Sequence, residues 1–138
     1  MSFRKEIKLI LNPSKSIDFK AMLLNRGAKE IHIKRKISSL YFDNIKRQSH
    51  IDSVEGLLPR KKIRIRTYPN EIKRRYLFEK KISSPEGRFK ESKKISLLRY
   101  NNIINNGYFD NMYGMLKPFI YVDYLREYYK FENYRITI

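Results

Sequence analysis

In the sequence KKIRIRTY, residues 61–68, alternation runs without a break from Lys62 onwards, and it limits what the chain can become. In an extended strand, successive side chains point to opposite faces. Ile63, Ile65 and Thr67 then share one face, while Lys62, Arg64, Arg66 and Tyr68 share the other. The apolar face needs a core to cover it, so the stretch is predicted to be a half-buried strand of an antiparallel sheet. The other face is almost wholly cationic. A merely solvated face ordinarily mixes both signs, because like charges opposite one another repel.

The same bias runs through the whole chain. Its 138 residues hold 31 Lys and Arg against 14 Asp and Glu, a net charge of +17. The pI is near 10.1. This imbalance implies a polyanionic partner: nucleic acid, an anionic membrane or a phosphate-rich ligand. A drift of composition towards Lys, Ile, Asn and Tyr would inflate lysine without a functional cause, yet 13 of the 31 cations are arginine. Hydrophobic residues make up 41%, enough for a core, and the length suggests one domain over residues 1–138. Cysteine is absent, which excludes disulfide and thiolate chemistry and fits a cytoplasmic protein. The start, MSFRKEIKLILNPSK, spaces charges through its apolar residues, unlike a signal peptide. No apolar run approaches the ~20 residues that span a bilayer.

FRKEIKLIL reads as a first strand, with Arg4, Glu6 and Lys8 on one face. SKSIDFKAMLLNRG reads as a helix with Ser16 as N-cap, a core stripe of Phe19, Met22 and Leu23, and Gly27 as its stop. EIHIKRKISSLYFDN is extended, PNEIK is a turn, and RRYLFEKKIS is a strand. SPEGRFKESKKIS gives a turn and a short basic strand, and LLRYNNIINNG a helix ending at Gly107. DNMYGMLKP reads as a short helix stopped by Pro118, and FIYVDYLREYYKF as a long aromatic strand. YRITI opens a last strand, with Ile138 still inside the alternation, so the chain is expected to stop within an element.

Strand parity collects the cations into sets. Arg64 and Arg66 share one; Arg75, Glu79 and Lys81 another; Tyr124, Arg126 and Tyr128 a third; Arg135 and Thr137 a fourth. Closing such strands into a barrel would gather these groups around one axis, where like charges repel by roughly 1 kcal/mol in water and several times more when partly buried. An extended anion would relieve that repulsion, and arginine suits a bidentate grip on phosphate oxygens.

The fragments RKEIK, ISSLYFDN, RKKIRIRTY, LFEKK, YLREYY and YRITI occur in an order that resembles VTC-type polyphosphate polymerase domains, members of the triphosphate tunnel enzymes that also include CYTH proteins. The resemblance implies an α+β fold, an antiparallel β-barrel with flanking helices, missing a C-terminal part. It implies transfer of the γ-phosphoryl group of ATP or another triphosphate to polyphosphate, with divalent manganese or magnesium. Its catalytic and phosphate-binding basic positions fall on Lys8, Arg64, Arg66, Lys81, Arg126 and Arg135, with Tyr124 as a tunnel tyrosine. Lys90 joins them as a binding residue, though Lys93 or Lys94 could hold its place. Arg64, Arg66, Arg126 and Arg135 would clamp phosphoryl oxygens, while Lys8 and Lys81 would act as point charges at the transferring group. Glu6 and Glu79 are metal or lysine-orienting candidates, with ion pairing as the simpler role. Arg4 stands where CYTH relatives carry the first Glu of their ExExK metal motif. His32 and His50 have no partner pattern, and Asp43 reads as a turn residue. Three other readings compete: a triphosphatase, a non-catalytic polyphosphate-binding sensor, and a nucleic-acid binder, which lacks any recognisable motif here.

Overall fold

The computed structural model describes residues 7–138. The elements run α1 (Pro13–Asn25), β1 (Lys29–Asp43), α2 (Gln48–Glu55), β2 (Arg60–Thr67), β3 (Tyr76–Ser84), β4 (Gly87–Ile95), α3 (Leu97–Asn106), β5 (Tyr108–Asp110), β6 (Gly114–Phe131) and β7 (Tyr134–Thr137). The strands hydrogen-bond in the order β4-β3-β2-β1-β6-β5, with β7 on β6. The registers are antiparallel, so the α+β class expected from the sequence holds. Residue contacts divide the chain into two compact units, one of residues 1–34 and 126–138 and one of residues 35–125.

In the first unit, residues 7–12 form neither helix nor strand. The expected first strand is therefore absent over residues 7–11, and its residues 3–6 lie outside the described residues. Pro13 follows directly and sets the first turn of α1, because its fixed φ suits a helix start. The cap is Asn12, not Ser16: the Asn12 side chain accepts from the Lys15 backbone N–H at 2.8 Å. Of the proposed core stripe Leu23 is buried and Phe19 half-buried, but Met22 is exposed. On β6, Tyr128 and Tyr129 are buried, and the register with β7 places Lys130 opposite Arg135 and Tyr128 opposite Thr137.

The second unit is built on β1–β4. Leu40 faces Ile65 and Phe42 faces Ile63 across β1 and β2, and Ile65 faces Phe78 on β3. These residues form a core with Ile103, Tyr113 and Leu116, and α3 adds the half-buried Tyr100 and Ile104. Tyr76 stacks on Tyr100 with ring centroids 4.4 Å apart. The apolar parity of KKIRIRTY is thus the core face, as the sequence implied.

Two local features differ from expectation. DNMYGMLKP is not a helix. Asp110 accepts from the backbone N–H groups of Met112 and Tyr113, which makes a turn, and β6 begins at Gly114 and runs through Pro118. Helix α2 was not foreseen. Its start is held by Asp43, whose two carboxylate oxygens accept from the backbone N–H groups of Ser49 and His50 at 3.0 and 2.9 Å. Asp43 is accordingly a turn and capping residue. Among the described residues, no helix is long and apolar enough to cross a membrane.

Candidate functional site

The face of β1–β4 opposite the core carries the charge. Its order follows from the register. Lys62, Lys81 and Lys90 stand abreast on β2, β3 and β4. One rung along, Arg64, Glu79 and Ser92 are aligned, with Tyr41 beside Arg64 on β1. The next rung holds Ser39, Arg66, Leu77 and Lys94.

At the centre, Glu79 is 1% exposed and Arg64 5%. The Arg64 Nε donates to Glu79 Oε2 at 2.7 Å, and Nη2 lies 2.7 Å from the same oxygen. Its Nη1 donates to the Tyr41 hydroxyl at 2.7 Å. Lys90 reaches the other carboxylate oxygen at 2.8 Å, and Ser92 Oγ lies 3.5 Å from it. Arg66 Nε is 3.8 Å from Glu79 Oε2, short of a hydrogen bond. Both Arg66 Nε and Ser39 Oγ are buried without a hydrogen-bond partner. Such atoms are uncommon in native interiors.

The titration of the cluster follows from this geometry. Burial alone would raise the Glu79 carboxyl, but Lys90, Arg64 and Arg66 outweigh it and hold Glu79 below the usual carboxylate range. Lys81 is pushed the other way. Loss of water comes first and the Arg64 and Arg66 charges next, and together they lower its ammonium below the usual lysine range.

Five of the sequence-predicted site residues, Arg64, Arg66, Glu79, Lys81 and Lys90, therefore meet on one face of the second unit. Tyr124 is a half-buried β6 residue of the same unit. Lys8, Arg126 and Arg135 belong to the first unit. Lys8 is exposed in the non-regular stretch, and the Arg135 guanidinium lies 5.5 Å from the Tyr128 ring centroid. Arg75 does not join the Glu79 and Lys81 face: it precedes β3 and pairs with Glu71. Glu6 lies outside the described residues. Sequence reasoning missed Tyr41 as a partner of Arg64. Its parity on β1 was legible, but only the β1–β2 register places it beside an arginine.

A divalent cation fits this face poorly. Glu79 is engaged by Arg64 and Lys90 with Arg66 nearby, and no group of three His, Asp or Glu side chains able to hold a metal occurs among the described residues.

A family model for the VTC domain matches residues 3–115. The chain belongs to the VTC-domain family. No curated protein matches it. Among solved structures it is similar to a candidate adenylate cyclase from Vibrio parahaemolyticus, with 14% identity and a TM-score of 0.54. That match covers 93% of this chain and 62% of the other, so the VTC chain spans less than two thirds of that protein's length. At this identity the likeness shows a shared fold.

Proposed function

We propose that the basic face of β1–β4 binds a linear triphosphate or polyphosphate, and that this binding serves transfer of the γ-phosphoryl group of ATP to a polyphosphate chain. The carrying observation is the row of Lys62, Lys81 and Lys90, three ammonium side chains directly opposite one another on adjacent strands. Like charges so placed destabilise a sheet unless an anion lies along them. Strands are ~4.8 Å apart, so the row offers evenly spaced contacts to a chain of phosphates. Membership of the VTC family supports the same ligand class.

In this reading the protein does little covalent chemistry. Phosphoryl transfer depends mainly on positioning and charge neutralisation. The terminal phosphate of the acceptor attacks, and the lysines neutralise charge on the transferring group and the leaving diphosphate. Lys8, Tyr124, Arg126 and Arg135 are further phosphate contacts on the resemblance alone. Manganese or magnesium would arrive on the phosphate chain, because Glu79 is already engaged by cations.

The face favours phosphate over nucleobases. Among its aligned positions the aromatic side chain is Tyr41, and its hydroxyl is held by Arg64. Base stacking needs free aromatic surface. Calorimetric titration with tripolyphosphate tests the proposal. Lys62→Ala and Lys81→Ala should each weaken binding about tenfold, ~1.4 kcal/mol, with unchanged circular dichroism. Tripolyphosphate should also displace a single-stranded RNA probe at low concentration. Full affinity in both variants would overturn the reading.

A further inference from the structure

We propose that Glu79 is a resident counter-anion of the basic face, which a phosphate chain must displace from Lys90, and so weakens binding in the free protein's arrangement. The inference rests on the polyphosphate reading and adds a residue that sets its affinity.

The cluster is held unevenly. Arg64 and Glu79 are both buried and bonded, and separating a buried pair is costly because it leaves a lone charge behind. Lys90 is different. Its side chain is 47% exposed, so its ammonium can turn to solvent or to an incoming anion without leaving a buried cation behind. An incoming anion can therefore take Lys90 while leaving Arg64 in place.

The orphaned donor completes the argument. When Lys90 leaves, Glu79 Oε1 loses a close donor, while Arg66 Nε has no acceptor and sits 3.8 Å from Oε2. A rotation of the carboxylate towards Arg66 would close that gap. Arg66 Nε would then gain the acceptor that it lacks while Lys90 holds the carboxylate. The face has two arrangements, one with Lys90 on the carboxylate and one with Lys90 on phosphate.

Removing the carboxylate's charge removes the competitor. Glu79→Gln should bind tripolyphosphate about tenfold more tightly than the wild type, a difference of ~1.4 kcal/mol. Glu91→Gln is the control for net charge. Glu91 lies on β4 with the opposite parity, facing Lys80, so its loss should change affinity less than twofold. The experiment is isothermal titration of the full chain with tripolyphosphate in the wild type and both variants. Tight binding in Glu79→Gln with an unmoved Glu91→Gln supports the proposal. A wild type that binds, with Glu79→Gln equal or weaker, overturns it and leaves the polyphosphate reading standing. Equal gains in both variants also overturn it, because net charge alone would then account for the effect. A wild type that fails to bind overturns the polyphosphate reading itself. Should Glu79→Gln fail to fold, Glu79→Asp keeps the charge but shortens the arm away from Lys90. Tighter binding there supports the proposal, and equal or weaker binding overturns it.

Discussion

Lys81 shows how much one side chain can report. Its ammonium is lowered by loss of water and by Arg64 and Arg66, so it loses its proton below the usual lysine range. Phosphate binding needs the charged form. Tripolyphosphate affinity should therefore fall as pH rises through the lowered value, at a pH where ordinary lysines are still charged. Lys81→Arg should flatten that limb, because a guanidinium keeps its proton; calorimetry between neutral pH and pH ~10 checks this. Glu127 carries the opposite sign. The Lys20 hydrogen bond, with Tyr129 next, holds its carboxyl at about 2, against an ordinary value of 4.5. Its contribution to stability is complete above the ordinary value and is lost as pH falls towards 2. Glu127→Gln should accordingly reduce the slope of stability on pH in that acid window, read by urea denaturation. At this scale the sequence is informative where period-2 alternation applies: parity groups Arg64 with Arg66 and Glu79 with Lys81, but it also adds Arg75, which lies before β3, and only the β2–β3 register joins the two sets on one face. Parity does not single out Tyr41, because a tyrosine in a strand reads as wall until the neighbouring register is known.

Elements were legible where periodicity was long and obscure where a few side-chain to backbone bonds decided the outcome. The strands β2, β3 and β4 and the helix α3 follow their patterns. Helix α2 depends instead on Asp43, a residue outside the helix whose carboxylate meets two of its first N–H groups. Asp43→Ala should cost about 2 kcal/mol in urea unfolding, at the upper end for a lost cap because the site is buried. The misread segment after β5 has the same origin. Asp110 turns the chain through backbone N–H groups, and residue periodicity does not register that preference. Gly107 ends α3 at φ 85°, and a Cβ there would lie 2.6 Å from the Leu116 carbonyl oxygen. Both strain and contact oppose a side chain, so Gly107→Ala should destabilise by more than ~1 kcal/mol, with a correspondingly lower urea midpoint.

For the molecule as a whole, a net charge of +17 on 138 residues means that repulsion opposes folding throughout. Screening relieves it. The melting temperature should rise when sodium chloride is increased from low to moderate concentration, contrary to a protein stabilised mainly by surface ion pairs. Tripolyphosphate should raise it further at far lower concentration, since a ligand at 100 times its Kd stabilises by about 2.7 kcal/mol. The overall charge was plain in the sequence, but its distribution was not. Composition cannot tell which cations sit on exposed arms and which, like Arg64, are buried against a carboxylate.

The row of Lys62, Lys81 and Lys90 has a dynamic counterpart. Lys62 and Lys81 stand side by side as like charges while Lys90 is drawn to Glu79, so the β2–β3 hairpin should open more readily without a guest than with one. Backbone amides of β2 and β3 should then exchange with deuterium faster in the ligand-free protein than in the occupied one, and occupancy should slow them together, as one cooperative patch, while α2 remains indifferent.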